Sequence, residues 1–130
     1  MSIEVGMTNR VEKTVTKELL ASSVGSGALD VFATPNMICL MEEASFYCVR
    51  DAVEEGYGTV GTLVNIKHLA PTPLGSKVYC DATLIEIDGR RLVFDVKAYD
   101  ESGLIGEGLH ERFIINEQKF MDKVNAKQSR

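Results

Sequence analysis

Glu42 is the residue of this 130-residue chain whose position most needs a chemical explanation. It falls in the run TPNMICLMEEASFYCVRDAVEEG, Thr34 to Gly56, which reads as one long helix. At about 100° per residue, Met37, Leu40, Met41, Ala44, Cys48, Val49, Ala52 and Val53 sweep out a broad apolar arc. Glu42 projects inside that arc, with Ile38, Ser45, Phe46 and Val49. A carboxylate there is costly to bury unless it is paired or used, the alternative being an arc-edge Glu that snorkels to water. Glu43 falls on the narrow polar strip with Asn36, Arg50 and Glu54 and reads as solvated. His68 is a second candidate, a base near neutral pH at the end of the row Val60, Val64, Ile66, just before a Pro break. At the rim of a core it either bonds a backbone carbonyl or acts as a base. Gly61 leaves bare backbone early in the same strand, either for plain close packing or for a close approach. GEGLHER puts Gly106, Gly108, His110 and Arg112 on one face. The two glycines there suggest that another chain or a ligand comes close. Arg112 can clamp an anion or join a surface salt bridge.

The elements that must position these residues follow from local patterning. Thr34 is a good N-cap, Pro35 suits the first helical position, and Gly56 and Gly58 supply the stop. Phe32 is placed to pack on the first turn as a hydrophobic staple. Upstream, Thr14 to Ser22 alternates as a first, edge strand. Ser22 to Asp30, SSVGSGALD, reads as a small flexible loop where a lid over the helix N-terminus could sit. Downstream come four period-two strands. In the first, Val60, Thr62, Val64, Ile66, His68 and Ala70 share one face, and Gly61, Leu63, Asn65, Lys67 and Leu69 the other. Two more are centred on Val78–Leu84 and Leu92–Ala98, joined at Asp88-Gly89 by a candidate two-residue type I′ hairpin. Leu104 to Asn116 is the last, and the charged tail from Glu117 reads as a short frayed helix. One apolar sheet face needs one cover, and the helix is the element available. The expected architecture is α+β, an antiparallel sheet wrapped around one long central helix, in a single domain over residues 1–130. Its leftover apolar helix surface and open sheet edge suit a two-fold partner.

Composition narrows the function. A net charge of −5 offers no basic stripe for phosphates and argues against nucleic acid. No apolar run reaches the roughly 20 residues of a membrane span, and no signal-peptide pattern opens the chain. Cys39, Cys48 and Cys80 are odd in number, lack a CxxC spacing and lie in apolar patterns, so they read as reduced, buried thiols of a cytoplasmic protein. Two histidines without ligand spacing speak against a metal site.

The runs VFATPNMICLMEEA, GTLVNIKHLAPTPLG, EIDGRRLVFDVKAYD and IGEGLHERFII together resemble the fluoroacetyl-CoA thioesterase group of the hot-dog fold, over about Val31 to Ile115. The resemblance implies hydrolysis of an acyl-CoA thioester by a homodimer or dimer of dimers, without a metal or tightly held cofactor. It places catalytic roles on Thr34, Glu42 and His68, and binding roles on Gly61 and Arg112. Phe32, Met37 and Met41 are then expected to line the acyl pocket, and free N–H groups of the first helical turn to hold the developing oxyanion. The family's fluoroacetyl-selective member carries aromatics ahead of the helix where this chain has SSVGSGALD. The expectation is therefore a short or compact acyl-CoA with little preference for the fluorinated one. A hydratase or dehydratase of enoyl- or 3-hydroxyacyl-CoA and a non-catalytic acyl-CoA-binding module are the alternatives on the same fold.

Overall fold

In the computed structural model, which describes residues 2–128, three helices and five strands alternate with short turns. They are β1 (Thr8–Thr14), α1 (Ala21–Val24), α2 (Thr34–Val49), β2 (Tyr57–His68), β3 (Lys77–Asp88), β4 (Arg91–Asp100), β5 (Gly103–Asn116) and α3 (Glu117–Gln128). Single 3-10 turns lie at Lys17–Leu19 and Arg50–Ala52. The strands form one antiparallel sheet in the order β1-β3-β4-β5-β2. Consecutive hairpins make β3-β4-β5, while β1 and β2 occupy the two edges. The α+β architecture of a sheet around a central helix is the one formed.

Period-two burial builds the core. Val78, Cys80, Ala82 and Leu84 of β3 and Leu92, Phe94, Val96 and Ala98 of β4 are buried in one cluster with Met37, Leu40, Met41, Ala44, Cys48 and Val49 of α2. Each fully buried Leu or Met side chain contributes about 1.5–3 kcal/mol, so this face carries most of the fold's stability.

Several local expectations are corrected. The first strand lies upstream of Thr14–Ser22, over Thr8–Thr14. Apolar alternation could not reveal it, because its inward residues include Asn9 and Lys13. These reach Ala44 O (Nδ2–O 3.1 Å) and Glu43 (Nζ–Oε1 2.6 Å) on α2. Glu43 is thus ion-paired rather than merely solvated. Helix α2 ends at Val49 instead of running to Gly56, because the chain must reverse into β2. Tyr57 N–H donates to Glu54 O at 3.0 Å, and Gly56 takes φ +86° in that turn. The β3–β4 loop is Gly89-Arg90, with positive φ at Gly89 alone, so it fits a type II′ turn rather than I′. Cys48 and Cys80 are buried but Cys39 is exposed, and α3 is a twelve-residue helix.

The largest departure from simple alternation is in β2. Tyr57 to Gly61 pair with Asn116 to Arg112, but pairing then resumes at Leu63 with Glu111. Thr62 is an extra residue, a β-bulge. Strand parity reverses across it, since one inserted residue flips every later side chain. Gly61, expected on the face opposite His68, therefore shares the helix-facing side with Val64, Ile66 and His68.

Two glycines on β5 also find their explanation within the chain. A Cβ on Gly106 would lie 2.5 Å from Met37 Sδ, and one on Gly108 would lie 2.0 Å from Asn65 O of β2. The close approach expected there is made by the protein's own helix and strand. Gly108→Ala must part a strand pair, because backbone cannot step aside as a side chain can. The expected loss exceeds about 2 kcal/mol, read as a lower urea midpoint at unchanged m. A wild-type midpoint would show that β2 and β5 relax freely at this position.

Candidate active site

The chain is pinned on both sides of Thr34. Phe32 N–H donates to Thr72 O at 2.9 Å and Ala33 N–H to Leu19 O at 2.9 Å. At the other side of the site, Leu69 N–H donates to Ile105 O at 2.7 Å where β2 leaves the sheet. These clamps bring Thr34 Oγ1 to 2.7 Å from His68 Nδ1. Thr34 is the first helical residue rather than the N-cap, which is Ala33, and its hydroxyl makes no cap bond. The hydroxyl is committed to histidine instead. Burial lowers the His68 pKa below the ordinary 6.5, so the ring is neutral at physiological pH. His68 Nε2 is buried with no partner among the described residues. The ring can therefore take or give a proton at that nitrogen while Thr34 fixes the other.

The pair opens on a cavity of about 320 Å³ lined by Ala21, Ser26, Val31, Phe32, His68 and Ala70 among others. Phe32 lines it as expected. Met37 and Met41 do not; both are fully buried in the core. The Ser22–Asp30 stretch is less free than its composition suggests, because α1 occupies its start and Ser22 N–H donates to Leu29 O at 3.1 Å. It still contributes Ser26 to the cavity wall. The helix N-terminus offers fewer donors than expected. Pro35 has none, and Asn36 and Met37 N–H both turn to Ala33 O at 3.0 Å. Thr34 N–H is left as the donor facing the positive end of the helix dipole. Larger cavities of about 480 and 610 Å³ lie around the C-terminal end of α2, away from this pair.

Glu42, Gly61 and Arg112 form a second cluster. A Cβ on Gly61 would sit 3.0 Å from Glu42 Oε2, 3.2 Å from His110 Cε1 and 3.4 Å from Arg112 Nη1. The missing side chain thus leaves a small space walled by a carboxylate, an imidazole and a guanidinium. Arg112 is only 7 % exposed and makes no ion pair among the described residues. The surface salt bridge is therefore not formed among the described residues. Its Nε–H donates to Thr59 Oγ1 at 2.8 Å and its Nη2 to Thr59 O at 3.0 Å. Thr59 and His110 are the neighbours of Arg112 that sequence reasoning left without a role. The shared face of His110 and Arg112 was the available signal, and the bulge that brings Thr59 and Gly61 onto it was not readable.

Within one chain the two clusters stay apart. Thr34 and Glu42 are separated by eight residues of α2, about 12 Å of helix rise. Among the described residues no three His, Cys, Asp or Glu side chains gather to hold a metal, and no helix is long and apolar enough to cross a membrane.

Known proteins share this arrangement of elements. A Thermus thermophilus thioesterase-superfamily member superposes with TM-score 0.91 at 30% identity, covering 98% of this chain and 94% of that one. A variant of the fluoroacetyl-CoA thioesterase FlK solved with acetyl-CoA gives TM-score 0.91 at 33% identity, over 96% and 98% of the two chains. The fold is that of the hot-dog thioesterases, a class of thioester hydrolases. In sequence, 98 residues are 42% identical to the fluoroacetyl-CoA thioesterase of Streptantibioticus cattleyicolor, 75% of this chain and 70% of that protein. The family model described as fluoroacetyl-CoA-specific thioesterase matches residues 15–118, and the chain belongs to that family.

The buried His110 makes a stability prediction. Burial holds its pKa below 6.5; the Leu63 carbonyl bond opposes this, the Arg112 charge reinforces it, and Glu42 and Glu111 oppose it more weakly. The unfolded chain then binds protons that the folded chain refuses. Stability is full above about 6.5 and falls as pH drops from there toward the folded pKa, with His68 adding in the same direction. The urea midpoint should decline between pH 7.5 and 5.5, and less steeply in His110→Gln. Equal slopes for the two proteins would contradict a neutral buried His110.

Proposed function

We propose that the protein hydrolyses short or compact acyl-CoA thioesters, with Thr34, His68 and Glu42 as catalytic residues and Gly61, Arg112 and Phe32 in substrate binding. The observation that carries this reading is the 2.7 Å contact between Thr34 Oγ1 and His68 Nδ1 at the mouth of a pocket on the helix N-terminus. A neutral imidazole takes a proton from the attacking oxygen, whether a water at Nε2 or the Thr34 hydroxyl at Nδ1. Attack on the thioester carbonyl gives a tetrahedral oxyanion, for which Thr34 N–H is a donor. Its collapse breaks the C–S bond, and the proton held on His68 passes to the departing CoA sulfur. Where Thr34 is the nucleophile, a water deprotonated by His68 then cleaves the acyl-threonine ester, releasing the acid and returning the proton to Thr34. The reaction so written needs no metal or bound cofactor. A hydratase reading has less support, since the Thr–His pair suits proton transfer at one oxygen and 98 residues are 42% identical to a thioesterase.

The complete site in this reading is assembled by a homodimer. Strand β2 is an open sheet edge with Leu63 43% and Val64 45% exposed at its middle, as expected of a surface kept for a partner. Antiparallel pairing about a two-fold axis at that point would carry the Glu42–Gly61–Arg112 cluster of one protomer toward the Thr34–His68 pair of the other. Sedimentation should give a dimer or a dimer of dimers at micromolar concentration. Thr34→Val and Glu42→Gln should each lower kcat by roughly 10² or more. After subunit exchange, a mixture of these two inactive dimers should recover about a quarter of wild-type activity, because half the dimers then hold one intact composite site. No recovery would place all three residues in one protomer's site.

Selectivity for fluorine is expected to be weak. One methylene of fit is worth only about 1–3 kcal/mol, and the pocket wall at Ala21 and Ser26 has no aromatic gate. The kcat/KM ratio of fluoroacetyl-CoA to acetyl-CoA should stay within about tenfold. A ratio of several orders of magnitude would refute this, and a preference for long-chain esters would refute the compact pocket.

A further inference from the structure

Arg112 has five N–H hydrogens, and three are committed within the chain. Two contacts go to Thr59, and Nη1 lies 3.1 Å from His110 Nε2. One hydrogen on each terminal nitrogen is left over. His110 in turn has its Nδ1 at 2.8 Å from Leu63 O, the first residue paired after the β2 bulge. A carbonyl can only accept, so Nδ1 carries the ring's proton. A guanidinium can only donate, so Nε2 carries the lone pair. Both contacts are made by one state alone, the neutral Nδ1–H tautomer. This single ring, 1% exposed, links the bulge that turns Gly61 inward to the arginine that faces the Gly61 space.

Packing alone does not call for a histidine here. Its neighbour across the pair is Phe94, with ring centroids 6.4 Å apart, and an apolar ring would fill the same volume without two buried polar atoms to satisfy. We propose that His110 is a positioning residue. It fixes Arg112 and the Gly61–Leu63 bulge together, so that the two uncommitted guanidinium hydrogens are aimed at the acyl end of the substrate beside Glu42. The proposal rests on the thioesterase reading above. Glu42 from α2, with Arg112 and Glu111 from β5, are the charged groups felt at this ring.

The test is a double-mutant cycle on the intact protein with acetyl-CoA, joined to a spectroscopic check. His110→Phe should lower kcat/KM by about 10- to 100-fold, as expected when a binding group loses its alignment. His110→Gln keeps one donor and one acceptor and should recover most of that loss. In an Arg112→Ala background, His110→Phe should cost less than about threefold more, because the residue it acts through is gone. Multiplicative losses in the cycle, or His110→Gln no better than His110→Phe, would overturn the proposal, since a general packing defect behaves that way. The chain has two histidines, so long-range proton–nitrogen spectra of wild type and His68→Ala assign the His110 ring directly. A protonated Nδ1 and bare Nε2 at pH 7 are expected; the opposite tautomer or a charged ring would overturn the proposal without any substrate. If the tautomer is found and no acyl-CoA is hydrolysed, the functional reading fails, and with it the role in aiming Arg112 at substrate.

Discussion

A regular strand shows a helix only every second side chain, and β2 has to show α2 both Gly61 and His68, which differ in parity. The bulge at Thr62 is what lets the two share a face. Without it, either the Thr34–His68 contact or the Gly61 space beside Glu42 and Arg112 would be lost to the outer surface. The bulge is held from β5, through the bond from His110 to Leu63 O and through Thr62 Oγ1 to Glu111 O at 3.2 Å. An edge strand is the natural place for such a defect, because there is one neighbour to satisfy instead of two.

The site is therefore built on rigid elements at the margin of a well-packed core. Met37, Leu40, Met41 and Ala44 anchor α2 against β3 and β4, while Thr34 and Glu42 of the same helix reach toward β2. Burying Arg112 without a carboxylate partner is expensive, and Thr59 and His110 offset the cost with three hydrogen bonds. A direct ion pair with Glu42 would have been the cheaper arrangement for stability. Its absence leaves both charges facing the Gly61 space, which is consistent with groups kept for a ligand.

Dividing the site between the two clusters gives the dimer a chemical reason in the proposed reading. The proton-transfer pair sits at the end of β2 and the charged cluster near its bulge. Two-fold pairing of an antiparallel edge exchanges those two ends. Activity and assembly would then be coupled, as each protomer supplies what the other lacks.

The helix, the four later strands and the choice of Glu42, His68 and Arg112 were legible in the sequence, because each depends on local periodicity or on a polar residue placed against it. The family resemblance added Thr34 from the run around the helix start. Strand β1 was misplaced because only one of its inward positions, Val11, is apolar, while Asn9 and Lys13 are paired to Ala44 O and Glu43 by contacts more than 25 residues distant in sequence. The start of α2 was misread because the Thr34 hydroxyl has two possible partners, a local N–H or a distant imidazole, and only folding brings the imidazole within 2.7 Å. The bulge, the buried state of Arg112 and the tautomer of His110 were beyond the sequence altogether. Each is fixed by the register between β2 and β5, a pairing of residues some 40 to 60 positions apart that no local pattern specifies.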